Sequence, residues 1–193
     1  MRIERIEKSK HKQERVLVFL EGGDLLRITG AELLRFGLYK GMDLSPALVV
    51  ELQAAAQQSQ LKQTAARMAS GRMLSKKEVQ RRLTKKGADE AQAAEMADWL
   101  ETLGAVDDEG YAGVIVRHYG TMGYGPARVK QELQRRGVPR TLWDEALAQL
   151  PPAADAMRKV VVARLRGRPM TQEDSRKLAA ALQRRGFSWN DIR

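Results

Sequence analysis

The stretch LTKKG, Leu83 to Gly87, decides the fold because it is written again as LQRRG at 133–137 and at 182–186. Each copy follows a short amphipathic run, about fifty residues after the one before. In each run the leucine stands one turn beyond a second apolar residue, Val79, Val129 or Leu178, so both face the same side of a helix. The glycine sits where a helix ends on a left-handed residue, a conformation glycine adopts without steric cost. Self-similarity at such a period is the signature of a helical repeat array, with the phrase closing the middle helix of each unit.

Working outward, cap signals bound the other helices. Ser45-Pro46 is an N-cap followed by proline at the first helical position, and the run ALVVELQAAAQQSQLKQTAARMAS continues to Gly71. Ser75 and Glu78 have capping-box spacing. Asp89 caps a third helix carrying Ala93, Met96, Ala97 and Leu100, ended by Gly104, which completes a three-helix unit over 45–105. The pattern restarts over 106–150. A helix through Tyr111, Ile115, Val116 and Tyr119 reaches the turn GTMGYG, Pro126 opens the middle helix, and Pro139 and Thr141 start a third, LWDEALAQL. After Pro151-Pro152 a third unit fills 151–193: MRKVVVARLRG, a cap from Thr171 to Asp174, then FSWNDIR, with one turn left for its last helix. Residues 1–44 read differently. RIERIEK, RVLVFLEGG and DLLRI predict a three-stranded meander turning at EGGD, followed by a short helix with a Thr29–Glu32 capping box and an apolar face of Leu33, Leu34 and Phe36. So small a sheet must pack on the helix that follows. The expected fold is mainly α: tandem three-helix repeats in an elongated curved array, with a small N-terminal β-meander.

Composition bounds the function. The 193 residues are 43% hydrophobic, 30% charged and only 5% aromatic, a helical vocabulary. Without cysteine there is neither a disulfide framework nor a thiolate metal site, and His11 and His118 stand alone. No Walker-type or dinucleotide-binding glycine motif occurs, and GTMGYG follows a helix rather than a strand. Asp107, Asp108 and Glu109 stand at a helix start, where carboxylates are ordinary caps. Trp99, Trp143 and Trp189 share no register, so core packing is expected for each. The chain is therefore read as no enzyme, with no cofactor. Its longest early apolar run, VLVFL at 16–20, is too short for a signal or a membrane span, so a cytoplasmic location is expected.

Charge is the functional signal. A net charge of +10 and a pI of about 10.1 favour a polyanion. Lys85-Lys86, Arg135-Arg136 and Arg184-Arg185 end their helices, where cations complement the dipole. That explains any one pair, but not three in one register. Arg81, Arg82, Arg128, Lys130, Arg164, Arg166 and Arg168 lie on or beside the same helices and complete a candidate face for phosphates. Two other classes stay open: a helix-turn-helix regulator reading duplex DNA with 89–103, and a basic helical adaptor for an acidic protein. Against the first, the outer face of 89–103 reads Glu90, Gln92, Glu95, Asp98, Glu101, which repels phosphates.

RMLSKKEVQRRLTKKG, LGAVDDEGYAG, YGPARVKQELQRRGV and the closing RRGF occur in that order and resemble the RecX family over about residues 60–193. The N-terminal strands and GLYKGMDLS are similar to the corresponding part of longer RecX proteins. The resemblance implies a monomeric, non-enzymatic regulator of the RecA recombinase. Such a protein binds the groove or end of the RecA–single-stranded-DNA filament and inhibits filament extension, ATP hydrolysis, strand exchange and SOS coprotease activity. Its implied partners are the RecA nucleoprotein filament and single-stranded DNA, with no membrane. The chain departs from the family pattern in GTMGYG and in its short last helix.

Overall fold

Residues 1–10 and 14–193 are described by the computed structural model, in which the chain divides into two units, Met1–Ala65 and Ala66–Arg193. His11 lies outside the described residues. In the first unit β1 (Ile3–Lys8), β2 (Arg15–Leu20) and β3 (Leu25–Thr29) form an antiparallel meander in the order β1-β2-β3. Val18 pairs with Ile6 on one side and Leu26 on the other. The alternation sends Val16, Val18 and Leu20 to the face that also buries Ile3, Leu26 and Ile28. Gly22 and Gly23 turn the β2–β3 connection with φ of 100° and 92°.

Helix α1 (Gly30–Arg35) begins at the Thr29–Glu32 capping box. Leu33 and Phe36 pack on the core, whereas Leu34, expected on the same face, is 82% exposed. One step along a helix rotates a side chain by about 100°, and a six-residue helix has only one covered side. Helix α2 (Pro46–Gly71) was expected to open the first three-helix unit. Its beginning belongs instead to the sheet: Val49 and Leu52 are core residues there. Further along, Arg15 donates to the Gln63 side chain at 3.0 Å. A three-stranded sheet has one apolar face to cover, and α2 covers it.

The second unit holds α3 (Lys76–Thr84), α4 (Glu90–Thr102), α5 (Asp108–Thr121), α6 (Pro126–Arg136), α7 (Trp143–Leu147), α8 (Ala153–Leu165), α9 (Gln172–Arg184) and α10 (Trp189–Ile192). Capping boxes start α3, α4, α9 and α10 at Ser75, Asp89, Thr171 and Ser188. Gly87, Gly137 and Gly186 have φ of 95°, 74° and 91°, and Leu83, Leu133 and Leu182 are buried. Tyr111, Ile115, Val116, Val129 and Leu133 form a core with Ala146 of α7. A smaller one joins Ala156, Leu182 and Phe187. The expected helix LWDEALAQL is broken up: Arg140–Leu142 is a 3-10 turn and α7 is five residues long. Pro139 precedes the turn, and the Trp143 indole N–H reaches back to the Val138 carbonyl at 3.0 Å, which holds the segment against α6 rather than letting it extend. Trp99 and Trp143 are half-buried, but Trp189 is exposed, because the single turn of α10 supplies too little surface to cover an indole.

The repeated phrase does more than end a helix. The C-terminal end of α9 meets the N-terminal end of α6: Gly125 N–H donates to the Arg185 carbonyl at 2.8 Å and Ala127 N–H to the Gly186 carbonyl at 3.2 Å. In the same way the end of α6 meets the start of α3, where the Ser75 hydroxyl donates to the Arg136 carbonyl and Arg81 to that of Arg135 at 3.4 Å. Carbonyl ends thus face amide ends, which satisfies groups a helix leaves unpaired and aligns the dipoles favourably. A Cβ on Gly186 would lie 2.4 Å from the Arg128 nitrogen, and one on Gly137 would lie 2.8 Å from the Lys77 Cβ. At Gly87 it would meet nothing within 4 Å, so the end of α3 is open.

Candidate nucleic-acid interface

The helix ends divide the predicted cations into two kinds. The side chains of Arg82, Lys85, Lys86, Lys130, Arg164, Arg166 and Arg184 make no hydrogen bond or ion pair among the described residues, and all but the half-buried Arg82 are exposed. Their charges have no partner among the described residues. The Arg128 guanidinium donates to the Gln131 side chain at 3.2 Å and also faces solvent.

The others are engaged. Glu132, which is buried, accepts from Arg135 at 2.9 Å and from Arg136 at 2.6 Å. The Arg135 hydrogen bond dominates, and with Arg136 it outweighs burial and holds the Glu132 carboxyl at about 2. Arg136 also donates to the Tyr111 hydroxyl and lies 5.7 Å from that ring's centre. Partial burial works against its charge, yet the bonds to Glu132 and Tyr111 raise its pKa. Arg136 is therefore a structural cation, and Arg135 an exposed one held in place. Arg185 donates to the Met122 carbonyl at 2.8 Å and stands over Tyr124 at 5.2 Å, which fixes α9 against the glycine-rich turn. Arg168 grips Asp174 with two bonds of 2.6 and 2.7 Å, and that hydrogen bonding pulls the Asp174 carboxyl well below its usual range. Arg81 bridges the α3–α6 joint.

Five of the predicted cations, Arg81, Lys85, Arg164, Arg184 and Arg185, line concave surfaces, and the other eight do not line these. Lys77, Gln80, Arg81 and Lys85 line a cleft between α3 and α4, of about 720 Å³. Lys77 and Arg81 also border one of about 520 Å³ toward α6, with Arg140 and Trp143 on its far side. Arg140 lies 5.6 Å from the Trp143 ring centre. The third, about 550 Å³, runs between α8 and α9 and takes in Arg164, Arg184 and Arg185 together with Lys159 and Lys177. Sequence reasoning passed over Lys77, Arg140, Lys159 and Lys177. Helical spacing held the signal for two of them: Lys77 is one turn before Arg81, and Lys177 two turns before Arg184.

The acidic cluster at 107–109 is structural. Asp107 accepts from Gly110 N–H and caps α5, while Asp108 accepts from Lys76 N–H at 2.9 Å and so caps α3 from outside. Burial pushes the Asp108 carboxyl up, and that N–H opposes it. Lys76 itself is tied to Asp98 and Glu101, both at 2.6 Å, which raises its pKa. On α4, Glu90, Glu95, Asp98 and Glu101 are exposed, an outer face unsuited to a phosphate-lined groove. Among the described residues no three His, Cys, Asp or Glu side chains gather as a metal site would require, and no helix is long and apolar enough to cross a membrane.

Comparison with known proteins fits this architecture. The profile of RecX, second three-helix domain, matches residues 107–147, which run from the N-cap of α5 to the last residue of α7. Regulatory protein RecX of Geobacillus kaustophilus is 36% identical over 137 residues, covering 69% of this chain and 51% of that protein. The Bacillus pumilus protein of the same name is 30% identical over 197 residues, 98% of this chain and 74% of its own. The Mycolicibacterium smegmatis one is 31% identical over 140 residues, or 68% and 74%. In fold, the chain is similar to a crystal structure of regulatory protein RecX, with a TM-score of 0.74 at 24% identity over 98% of this chain and 96% of that one. RecX from Lactobacillus salivarius gives 0.63 at 21% identity, covering 70% and 91%. With its helical phrase, its N-terminal sheet and relatives of this similarity along nearly its full length, the chain belongs to the RecX family.

Proposed function

We propose that the chain regulates the RecA recombinase by binding the RecA–single-stranded-DNA filament, in its groove or at its end, and thereby restrains filament extension, ATP hydrolysis, strand exchange and SOS coprotease activity. The observation that carries this reading is the set of unengaged cations along three helices in series: Lys85 and Lys86 after α3, Lys130 on α6, Arg164 and Arg184 beside the α8–α9 groove. Cations spread over several elements suit a charged polymer, since each contact adds little and all gain from being linked. Binding of this kind needs no chemistry at the site. Occupancy alone shifts assembly by mass action.

The held arginines have a part as well. Arg135 costs less entropy to dock than a free side chain would, because Glu132 already fixes it. The groups α3–α4, α5–α7 and α8–α10 act as successive points of contact, and the sheet adds anchorage. Substoichiometric chain added to a cognate RecA in a DNA-dependent ATPase assay tests the reading. Slowed hydrolysis is expected, and an unchanged rate at saturating chain rejects it.

A further inference from the structure

The α8–α9 groove differs in chemistry from the other basic surfaces. Lys159, Arg164, Lys177, Arg184 and Arg185 stand around it, and no carboxylate lines it. Lys177 pairs with Glu173 at 2.5 Å, and Arg185 is taken by the Met122 and Gly123 carbonyls. Lys159, Arg164 and Arg184 have no partner among the described residues. The floor is aliphatic, made by Val160, Ala163, Leu178 and Ala181. No aromatic ring lines it, so the stacking platform on which single-stranded nucleic acid binders rely is missing. A sugar-phosphate chain would satisfy the rim and leave the floor wet. A further observation points the same way. Helix α8 buries only Ala156, and Ala163 on the groove floor is exposed, so this face of the helix lacks apolar cover.

We infer that the groove takes an acidic peptide segment bearing aliphatic side chains, its carboxylates paired with Lys159, Arg164 and Arg184 and an aliphatic side chain seated on Ala163 and Ala181. Apolar anchors on a floor with charges at the rim are the usual division of labour in a protein–peptide contact. The inference rests on the function proposed above for which protein supplies the segment, and not for the chemistry of the groove. Labour is then split: the cations of α3 and α6 face nucleic acid, and those of α8 and α9 face protein.

Fluorescence anisotropy with the full chain tests this, using three labelled probes: a short peptide of Glu, Asp and Leu, an all-Glu peptide of equal charge, and an oligo-dT single strand. The Leu-bearing peptide should bind about tenfold more tightly than the all-Glu one. Ala163→Phe fills the floor without touching a charge. It should weaken the Leu-bearing peptide about tenfold and oligo-dT by less than about threefold. Lys159→Glu combined with Arg184→Glu should weaken both peptides by at least as much. Should that pair fail to keep its helical circular dichroism, Ala163→Phe decides alone, since Ala163 is exposed and outside the core. Equal affinity for the two peptides overturns the inference, as does an Ala163→Phe chain that binds the Leu-bearing peptide normally. A larger loss for oligo-dT than for peptide would give the groove to nucleic acid. RecA inhibition alongside any of these failures would sink the groove reading and leave the proposed function standing.

Discussion

Helix α5 buries six of its fourteen residues, while α8 buries one of thirteen, although both open a group whose middle helix ends on the same LQRRG phrase. The phrase therefore specifies the joint and not the core. In α5–α7 the core is supplied by Tyr111, Ile115 and Val116 against Val129 and Leu133, and Glu132 ties the end of α6 back to Tyr111 through Arg136. In α8–α10 the place of Glu132 is held by Ala181, and Arg185 reaches instead to the turn before α6. The last group thus depends on its neighbour for what the middle one makes internally. A segment with little buried surface opens at lower cost, which suits a binding element.

That contrast can be broken by core truncation. Leu133→Ala should destabilise the chain by about 2–5 kcal/mol in urea unfolding, and Leu182→Ala by no more than about 2, because the smaller core packs fewer atoms around the leucine. Equal losses would mean the two cores are equivalent. The joints come next. Alanine at Gly87, Gly137 or Gly186 meets the left-handed penalty of about 1–2 kcal/mol. At Gly137 and Gly186 the new Cβ also collides with an earlier helix, α3 or α6, which should add about 1–3 kcal/mol of overpacking strain. Thermal unfolding in which Gly87→Ala is as damaging as Gly186→Ala would dissolve the distinction between joint and open end.

Acid sharpens the comparison further. Glu132 has its folded-state pKa lowered to about 2, so the stability it lends is complete above the unfolded value of about 4.3 and is lost as pH falls toward 2. Melting temperature measured by circular dichroism should fall through that window, and the fall should be shallower in Glu132→Gln. Asp174 in the last group is also lowered, by an Arg168 that is half in solvent, and the screened pair leaves a weaker slope there. The smallest stability change belongs to Lys85→Glu with Lys86→Glu, within about 0.5 kcal/mol. The same variant should bind oligo-dT more weakly, with a salt slope reduced by about one for each phosphate it no longer neutralises. Arg136→Glu is no counterpart to it. That change removes one of the two arginine partners of the buried Glu132 and sets a second carboxylate beside it, so it should destabilise the middle group well beyond the lysine pair.

The rules that could be applied to a few neighbouring residues were legible beforehand. Capping boxes at Thr29, Ser75 and Thr171, the left-handed glycines, the buried leucines and the meander all follow from local spacing. The joints did not, because Ser75 and Arg136 are 61 positions apart and no local pattern brings them together. The split of each cation pair was half legible: Glu132 stands three and four residues before Arg135 and Arg136, a spacing that predicts ion pairs on a helix. The partition of α2 was hidden, since ALVVELQAAAQQSQ is good helix throughout and only the sheet decides which turns it claims. The α8–α9 groove required two helices to be placed before Lys159 and Lys177 could be seen to share it.

Both joints run backward along the chain: the later helix always brings its end to the start of an earlier one. For a polypeptide emerging from the ribosome this sets an order of assembly. When α6 is completed, Ser75 and Lys77 have already been made, and when α9 is completed, so have Gly125 and Arg128. Each new group therefore finds its seat waiting, a sequence of closures suited to unit-by-unit folding during synthesis. A chain stalled after Leu150 would present the bare start of α6, with Gly125 lacking both a side-chain cap and the carbonyl of Arg185.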